Sequence, residues 1–282
     1  MNMPSLTDRA ERLAAAKTVI TAAGARALDF YRRYKTLAVE TKQNDQDLVS
    51  VADRSVEDFI RSRIAEMFPD DGFLGEEHGM KAGTSAFCWI VDPIDGTSPF
   101  LNGLDSWSVV IALAEAGRTV LSLVAHPATG TLYWAEEGKG AWRDGQPISV
   151  NAATPFSGGT VAIGPGARNH AEAVGRIVAE VLQNGGSFMR NGSAALSLAH
   201  VAQGSYLGFY EPELSAWDCV AGLLLVREAG GIAEDPFAGK LSKERWPCLA
   251  AAPQIAPQLR AIIAGKPVCP TGAPASSSHP TA

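Results

Sequence analysis

The chain has 282 residues, of which 46% are hydrophobic and 19% are charged. This length and composition provide for a large buried core and exclude a chain that is disordered throughout. The formal net charge is −6, and no run of Lys or Arg forms the basic stripe that binds nucleic acid. No uncharged apolar run reaches the roughly 18 residues of a transmembrane helix, so we expect no nucleic acid and no membrane as partner.

The cysteine pattern indicates reduced thiols. Cys88, Cys219, Cys248 and Cys269 form no CxxC pair, which argues against a disulfide framework and against a zinc site. Charged residues stand near the N-terminus, where a signal peptide would need its apolar segment. These observations predict a soluble cytoplasmic protein.

The first part of the chain predicts two helices. Small and apolar residues recur at alternating steps of three and four from Leu13 to Tyr34, which is the pattern of a long amphipathic helix. A second helix is expected from near Ser50 and must end before Pro69, because the residue preceding a proline disfavours helix. A polar loop that contains Lys42 joins the two helices.

A buried strand and an antiparallel meander are expected next. The apolar run at 87–91 predicts a buried strand that ends abruptly at the segment DPIDGT. Gly, Pro and Asp signals then divide the following residues into antiparallel strands, so the first half of the chain is of the α+β type. The expected strands are 107–114, 119–125 and 131–135, before a turn at 144–145.

The second half alternates strands and helices and is typical of an α/β layered unit. We place an N-terminal subdomain at 1–155 and a C-terminal subdomain at 156–268. The tail at 269–282 should be disordered, because it has no large apolar side chain to bury. The expected strands lie near 161, 188, 206–210, 232 and 249, and the expected helices at 170–182, 193–202 and 216–228.

Carboxylates are concentrated in four short segments where packing alone would not require them. Carboxylates from separate segments, supplemented by a main-chain carbonyl, are the oxygen ligands that Mg²⁺ prefers, whereas zinc or copper would require more His and Cys. Together the segments predict a site for a hard cation. They are 47–53, 75–77, 92–97 and 217–222.

The segment DPIDGT suits both a cation and an anion. Its proline rigidifies the turn and can hold Asp92 and Asp95 at adjacent corners, with the carbonyl of Ile94 exposed to a cation. Gly96 lets the backbone approach a ligand closely. If Thr97 begins a helical turn, the amides of Gly96 and Thr97 point at an incoming anion.

These motifs resemble the inositol monophosphatase family, within the superfamily of lithium-sensitive, magnesium-dependent phosphatases. The residues on which the resemblance rests are GEE at 75–77, WIVDPIDGT at 89–97, WDCVAG at 217–222 and REAGG at 227–231. The layout is similar over residues 5–265. The resemblance implies a layered α-β-α-β-α sandwich of two subdomains, a homodimer, and inhibition by lithium.

Carried over residue by residue, the resemblance implies a site for two or three Mg²⁺ ions. Glu76, Asp92 and the carbonyl of Ile94 would hold one ion. Asp92, Asp95 and Asp218 would hold a second, so that Asp92 bridges them.

The same resemblance implies the catalytic and substrate-binding residues. Thr97, with Glu76, would orient the nucleophilic water, and Asp53 would accept a hydrogen bond from the Thr97 hydroxyl. Asp95 and the amides of Gly96 and Thr97 would bind substrate, while Glu211 would contact a substrate hydroxyl. Lys42 corresponds to a lysine near the metal-bound waters.

Several of these residues also have simpler interpretations. Asp53 could oppose the dipole at a capped helix start, and Asp218 could be an acid in the first turn of a helix. Glu211 could be an ordinary loop acid and Lys42 a solvated lysine. Glu77 is expected to be a solvated neighbour of the site. The five histidines show no ligand spacing, and Cys219 is expected to be a small buried side chain.

The predicted function is a Mg²⁺-dependent phosphomonoesterase acting on inositol monophosphate or a similar small polyol phosphate through a metal-activated water. Alternatives within the enzyme class are phosphatases for histidinol phosphate, a sugar bisphosphate or 3′-phosphoadenosine. The alternative of another class is a catalytically weak scaffold or regulatory protein. The segment 98–103 departs from the common family pattern, which leaves the preference for the leaving group open.

Overall fold

The fold contains both helices and strands. A computed structural model describes residues 6–37, 39–41, 48–166, 168–237 and 244–266. The helices among these residues are α1 (Leu6–Tyr31), α2 (Val51–Met67), α3 (Thr97–Leu101), α4 (Ala171–Gln183), α5 (Ala194–Ala202), α6 (Ala216–Glu228) and α7 (Ala256–Ile263). None of these helices combines the length and the apolar character needed to cross a membrane.

The strands form two large sheets and a hairpin. Strands of the first half are β1 (Val39–Thr41), β2 (Leu48–Ser50), β3 (Gly72–Gly75), β4 (Gly79–Lys81), β5 (Phe87–Asp95), β6 (Ser108–Glu115), β7 (Arg118–His126), β8 (Thr131–Glu136), β9 (Gly140–Arg143) and β10 (Gln146–Ile148). Those of the second half are β11 (Thr160–Ile163), β12 (Ser187–Met189), β13 (Gly208–Leu214), β14 (Ile232–Ala233) and β15 (Trp246–Ala251).

The first sheet contains the expected meander. Within the described residues its strand order is β10-β9-β8-β7-β6-β5-β3-β4, and every pair is antiparallel except β3 with β5. Both faces of β5 and β6 are covered, so their residues are buried almost without interruption. On one face, the apolar residues of the sheet pack against α1 and α2.

The second sheet has the order β12-β11-β13-β15-β14, and β11 runs parallel to both β12 and β13. Helix α4 connects β11 to β12, and α5 connects β12 to β13 in the opposite direction across the sheet. Because such crossovers are right-handed, α4 and α5 lie on opposite faces. Helices α5 and α6 therefore lie between the two sheets, in one core with residues of both.

The resulting order of layers is α1 and α2, first sheet, α5 and α6, second sheet, then α4 and α7. This is the mixed fold with an α-β-α-β-α sandwich that the resemblance implies. The last strand of the first sheet ends at Ile148 and the first strand of the second begins at Thr160. The subdomain boundaries themselves stay a prediction.

Several elements differ from the sequence-based prediction. Helix α1 begins at Leu6 rather than Leu13 and ends at Tyr31 rather than Tyr34. The pattern does not predict strands β1 to β4 or helix α7, and β1 and β2 lie in the segment expected to be a polar loop. The strand expected to end at Val91 continues to Asp95. This last difference places both aspartates of DPIDGT inside a strand.

Candidate active site

A bulge near the end of β5 directs two aspartates to the same face of the sheet. Asp92 is opposite Val110 on β6, and Asp95 is opposite Ser108, so β5 has one more residue than β6 between these pairs. Val110 and Ser108 are two residues apart and their side chains share a face. Their partners Asp92 and Asp95 therefore share that face too, although they are three positions apart in the sequence.

Asp92 is almost fully buried, with 2% of its surface exposed. Its Oδ1 accepts a hydrogen bond from the backbone N–H of Ile94 at 3.0 Å. Burial raises the pKa of Asp92 well above its usual range, and nearby negative charges raise it further. These nearby acids are Glu76, Asp95, Asp218 and Asp53.

Asp95 is joined to the start of α5 by a dense set of hydrogen bonds. Its Oδ2 accepts from the hydroxyl of Ser108 at 2.9 Å, from the backbone N–H of Ala195 at 2.9 Å, and from the hydroxyl of Ser193. Its Oδ1 accepts from the backbone N–H of Ala194 at 3.1 Å. Burial raises the pKa of Asp95, and these hydrogen bonds oppose the shift. Oδ2 is thus saturated, while Oδ1 keeps room for a further ligand.

Asp218 lies in the first turn of α6, as the simpler interpretation of this residue expects. Its Oδ2 accepts a hydrogen bond from the backbone N–H of Ser215 at 2.7 Å. Burial raises the pKa of Asp218 well above its usual range, Glu76 and Asp95 add to the increase, and the bond from Ser215 opposes it. Asp218 can therefore cap α6 and also belong to the acidic centre, the group of neighbouring carboxylates around Asp92 and Asp95.

Thr97 connects the acidic segment to α2. Its Oγ1 lies 3.2 Å from Oδ1 of Asp53 and 3.1 Å from the carbonyl oxygen of Ile94. Asp53 is buried in the first turn of α2, with 1% of its surface exposed. Thr97 is the first residue of α3, which follows Gly96 with φ of +92°. That positive φ explains why glycine suits position 96.

The turn that contains Glu76 is held by Glu57, a residue that the sequence motifs do not indicate. The backbone N–H of Glu76 donates to the carbonyl of Val91, beside the end of β5. The buried carboxylate of Glu57 accepts from the backbone N–H groups of Glu77 at 2.7 Å and His78 at 3.1 Å. A Cβ at Gly75 would lie 2.2 Å from Oε1 of Glu57, which explains the glycine of the GEE motif. Only the Glu57-x3-Arg61 spacing hinted at this role.

Glu211 lies in a strand rather than in the expected loop. It belongs to β13, opposite Cys248 of β15, at the point where the register of the two strands shifts. Its Oε1 accepts a hydrogen bond from the backbone N–H of Gly166 at 3.2 Å. Burial raises the pKa of Glu211 to about 7, and the bond from Gly166 opposes the increase. A raised pKa in a glutamate near the acidic centre is typical of a functional group.

The segment 98–103 directly follows the acidic motif and packs into the protein interior. Phe100 is fully buried against Trp107, with ring centroids 4.9 Å apart. A Cβ at Gly192 would lie 2.7 Å from the Pro99 ring, so this segment packs against the residues just before α5.

Other candidates have structural surroundings or lie outside the described residues. Cys219 is buried, and its Sγ lies 3.3 Å from the carbonyl oxygen of Ser215. Cys88, Cys219 and Cys248 are free thiols. Lys42 and the tail at 269–282 lie outside the described residues.

The donor set suits a hard cation. The acids that shift the pKa of Asp92 offer carboxylate oxygens, which Mg²⁺ prefers to the nitrogen and sulfur ligands of zinc or copper. As the side chains stand, no group of three His, Cys, Asp or Glu in the described part of the chain is arranged to hold a metal. Oδ2 of Asp95 and Oδ2 of Asp218 accept hydrogen bonds from protein N–H groups. Oδ1 of Asp218 is left to offer a cation, and Oδ1 of Asp95, which accepts from the N–H of Ala194, keeps a second lone pair for one.

Comparison with known proteins gives a consistent result. A sequence profile of the inositol monophosphatase family matches residues 8–266. An inositol-1-monophosphatase of Rhizobium meliloti is 40% identical over 221 residues, which cover 77% of this chain and 83% of that protein. A protein of Aquifex aeolicus named fructose-1,6-bisphosphatase/inositol-1-monophosphatase is 32% identical over 222 residues, covering 78% and 84%.

The fold is also similar to solved structures. The crystal structure of the extragenic suppressor protein suhB from Bartonella henselae superimposes with a TM-score of 0.83 at 31% identity, covering 90% of this chain and 98% of that one. The profile match extends over nearly the whole length, and the identities and coverage are high. The chain therefore belongs to the inositol monophosphatase family and is a phosphatase.

Proposed function

We propose that this phosphatase hydrolyses inositol monophosphate, or a similar small polyol phosphate, to the alcohol and inorganic phosphate with Mg²⁺ as its cofactor. The observation that supports it best is the group formed by buried Asp92 and Asp95 and half-buried Asp218, in which each carboxylate has a raised pKa. Such a centre repels a phosphate dianion unless cations neutralise it. Two or three Mg²⁺ ions supply that charge.

The resemblance to the family supplies the ligand sets of this proposal. Glu76, Asp92 and the carbonyl of Ile94 would hold one ion. Asp92, Asp95 and Asp218 would hold a second, and Asp95 and Asp218 would use Oδ1 because Oδ2 of each accepts hydrogen bonds from the protein. When bound, the ions supply positive charge that accepts the phosphate and stabilises the charge that develops on the attacking and leaving oxygens.

The hydroxyl of Thr97 orients the attacking water. It has one proton and two acceptors within reach, Oδ1 of Asp53 and the carbonyl of Ile94. If the carbonyl holds a cation, Asp53 is the acceptor that remains for this proton. The lone pairs of the hydroxyl then accept a hydrogen bond from the water, which Glu76 also orients. The amides of Gly96 and Thr97 bind the phosphate oxygens.

Glu211 supports a polyol rather than an amine as the leaving group. Arg190 and Arg245 lie near enough to lower the pKa of its carboxyl. These two positive charges disfavour the ammonium group of histidinol phosphate in the same pocket. A carboxylate can accept hydrogen bonds from neutral ring hydroxyls without that penalty.

A sugar bisphosphate is the second candidate substrate. Arg190 and Arg245 are both exposed, so they are accessible to a second phosphate group of the substrate. The name of the Aquifex aeolicus relative includes fructose-1,6-bisphosphatase. No comparable observation favours 3′-phosphoadenosine.

A substrate panel with and without Mg²⁺ tests this proposal. We expect Mg²⁺-dependent phosphate release, with kcat/KM highest for inositol 1-phosphate among inositol 1-phosphate, fructose 1,6-bisphosphate, histidinol phosphate and glycerol 2-phosphate. Glu211→Gln should lower kcat/KM for inositol 1-phosphate by roughly 10–150-fold and affect glycerol 2-phosphate less. Release from no substrate would favour a scaffold, and a preference for histidinol phosphate would overturn the choice of substrate.

Three further properties belong to the same proposal. We expect a homodimer in the cytoplasm that is inhibited by lithium, with Li⁺ acting at the second metal position. Light scattering that gives the mass of one chain would reject the dimer. A titration with LiCl that leaves phosphate release unchanged would reject the lithium site.

A further inference from the structure

The carboxylate of Glu211 lies directly over the backbone of Gly164. A Cβ built at Gly164 would be 1.9 Å from Oε2 of Glu211, 2.1 Å from its Cδ and 2.7 Å from its Cγ. Gly164 follows the last residue of β11, and its N–H donates to the carbonyl of Tyr210 at 2.9 Å. The sheet therefore brings the glycine and the glutamate side by side, and any side chain at 164 would displace the carboxylate.

The backbone conformation does not require glycine at this position. Gly166, two residues later, has φ of +58°, which favours glycine. Gly164 is not among the residues of the described chain that have a positive φ. Alanine would thus fit the backbone at 164, and the carboxylate of Glu211 is what excludes it.

Glu57 also lies against the backbone of a glycine, but its carboxylate has different hydrogen-bond partners. Glu57 lies over Gly75, and its Oε2 accepts from Glu77 N–H. Its Oε1 accepts from the N–H of His78 and from the guanidinium of Arg61. Both oxygens of Glu57 are therefore satisfied by the protein, as expected of a structural group.

Glu211 has only one of its two oxygens satisfied in this way. Gly166 N–H donates to Oε1 at 3.2 Å, and Oε2 accepts no hydrogen bond from any residue in the described ranges. The bond to Oε1 fixes the position of the carboxylate, and Oε2 is left to accept a hydrogen bond from a ligand. Glu211 is half-buried, and the loss of solvent around its carboxyl raises the pKa of this group.

We propose that Gly164 is a specificity-determining positioning residue, which lets the Glu211 carboxylate lie against the end of β11 so that Oε2 accepts a hydrogen bond from a hydroxyl of the leaving alcohol. This inference rests on the proposed function. Gly164 acts only through Glu211 and does not touch the phosphate. Its effect should therefore appear in the choice of alcohol and not in phosphate transfer itself.

A double-mutant cycle tests the inference. The variants are Gly164→Ala, Glu211→Gln and the double variant, each assayed with Mg²⁺ on inositol 1-phosphate and glycerol 2-phosphate. We expect Gly164→Ala to raise KM for inositol 1-phosphate about tenfold and to change kcat on either substrate less than about twofold. The melting temperature should stay within a degree or so, because the end of a flexible side chain can move at little cost.

The cycle separates a positioning role from a merely structural one. If Gly164 acts through Glu211, Gly164→Ala causes no further loss in the Glu211→Gln background. The inference would be overturned if the losses of kcat/KM in the two single variants multiply in the double variant. It would also be overturned if Gly164→Ala lowers kcat/KM equally on both substrates. The matched control is Gly175→Ala in α4, where a Cβ meets nothing within 4 Å and neither substrate should be affected.

The same data distinguish this inference from the proposed function. A wild-type protein that prefers another phosphomonoester overturns only the choice of substrate, and the cycle is then run on the preferred ester. A wild-type protein that releases phosphate from no ester overturns both. If the wild type prefers inositol 1-phosphate but the losses in the two single variants multiply in the double variant, only the role of Gly164 is overturned.

Discussion

Two groups of buried carboxylates in this protein have opposite surroundings. Asp71 accepts two hydrogen bonds of 2.8 Å from the guanidinium of Arg12, one of 2.9 Å from the indole of Trp89 and one of 2.7 Å from Ser85. Glu57 is likewise paired with Arg61 and two backbone amides. These acids are neutralised by cations of the chain itself, as buried charges normally are.

Three aspartates of the candidate site, Asp92, Asp95 and Asp218, have no arginine or lysine partner in the part of the chain that the structure describes. Among the described residues, Asp92, Asp95 and Asp218 form no ion pair, and the charges that act on Asp92 are all negative. Backbone amides and serine hydroxyls supply their hydrogen bonds. Asp53, Asp95 and Asp218 are also placed at the first turns of α2, α5 and α6, where the helix dipole favours negative charge.

The contrast distinguishes structural acids from functional ones without reference to the motifs. A carboxylate with an arginine is complete, whereas a buried cluster without one must be neutralised by protons or by added cations. Substitutions in the two groups should therefore have opposite consequences. The structural group should lose stability and keep activity, and the site should lose activity and keep its fold.

The largest expected effect is that of Asp92→Asn. The variant should lose nearly all phosphatase activity, because Asp92 is the proposed bridge between cations. It should unfold no more easily than the wild type in metal-free buffer, because a buried charge is removed and the amide can still accept from Ile94 N–H. Steady-state kinetics and urea unfolding measure the two effects. Retention of more than about a tenth of kcat, a loss below ~1.4 kcal/mol, would contradict the bridging role.

The next largest effect is that of Asp71→Asn on stability. It leaves the guanidinium of Arg12, which also stacks over Phe87, without its counter-charge. Breaking such a pair costs about 3–5 kcal/mol, and urea unfolding should show it. The folded variant, assayed at low temperature, should keep kcat within about twofold of the wild type. A loss of kcat at unchanged stability would place Asp71 with the functional acids.

The sequence alone predicts those parts of the site that depend on residues close to one another along the chain. Asp92, Asp95, Asp218 and Glu76 stand in short motifs of unusual composition, so their grouping could be predicted, although their roles stay predictions. The saturation of Asp95 Oδ2 could not, because its partner Ser193 is 98 residues away. No local pattern shows that the start of a distant helix meets the end of a strand.

The fold shows the same division between local and distant information. The strands of the meander and the helices at 171–183 and 216–228 have strong local patterns, and each was predicted within a few residues. Strand β3, with the sequence GFLG, is short and flanked by glycines, so its own preference for a strand is weak. The bulge in β5 depends on the pairing with β6 and leaves no local signal in the sequence. The pattern therefore predicts that the strand ends before Asp92.

A smaller effect should follow from Mg²⁺ and pH together. The pKa values of Asp92 and Asp218 are raised in the folded protein, so folding takes up protons between their ordinary and raised values. The stability of the metal-free protein therefore falls as pH rises through that window. Mg²⁺ replaces these protons, so it should stabilise the folded protein more at about pH 8 than at about pH 5.5. At a hundred times its Kd the total stabilisation by Mg²⁺ is about 2.7 kcal/mol.

Thermal unfolding with MgCl₂ and with EDTA measures this effect. Asp92→Asn serves as the control and should lose most of the stabilisation. A Mg²⁺ effect that is equal at both pH values, or that persists in the control, would show that the ion binds elsewhere.

The smallest expected effect is that of Ser108→Ala, which tests to which group Asp95 belongs. The hydroxyl of Ser108 donates one of the four hydrogen bonds to the Asp95 carboxylate, and its loss leaves the donors from Ser193, Ala194 and Ala195 in place. One hydrogen bond to a charged group contributes about 1.5 kcal/mol or more, so urea unfolding should show a decrease of about that size. If Asp95 is a ligand held in place by these donors, the Mg²⁺ affinity measured by calorimetry should fall as well, because the carboxylate gains freedom to turn. A loss of stability with unchanged Mg²⁺ affinity would place Asp95 with the structural acids, beside Asp71 and Glu57.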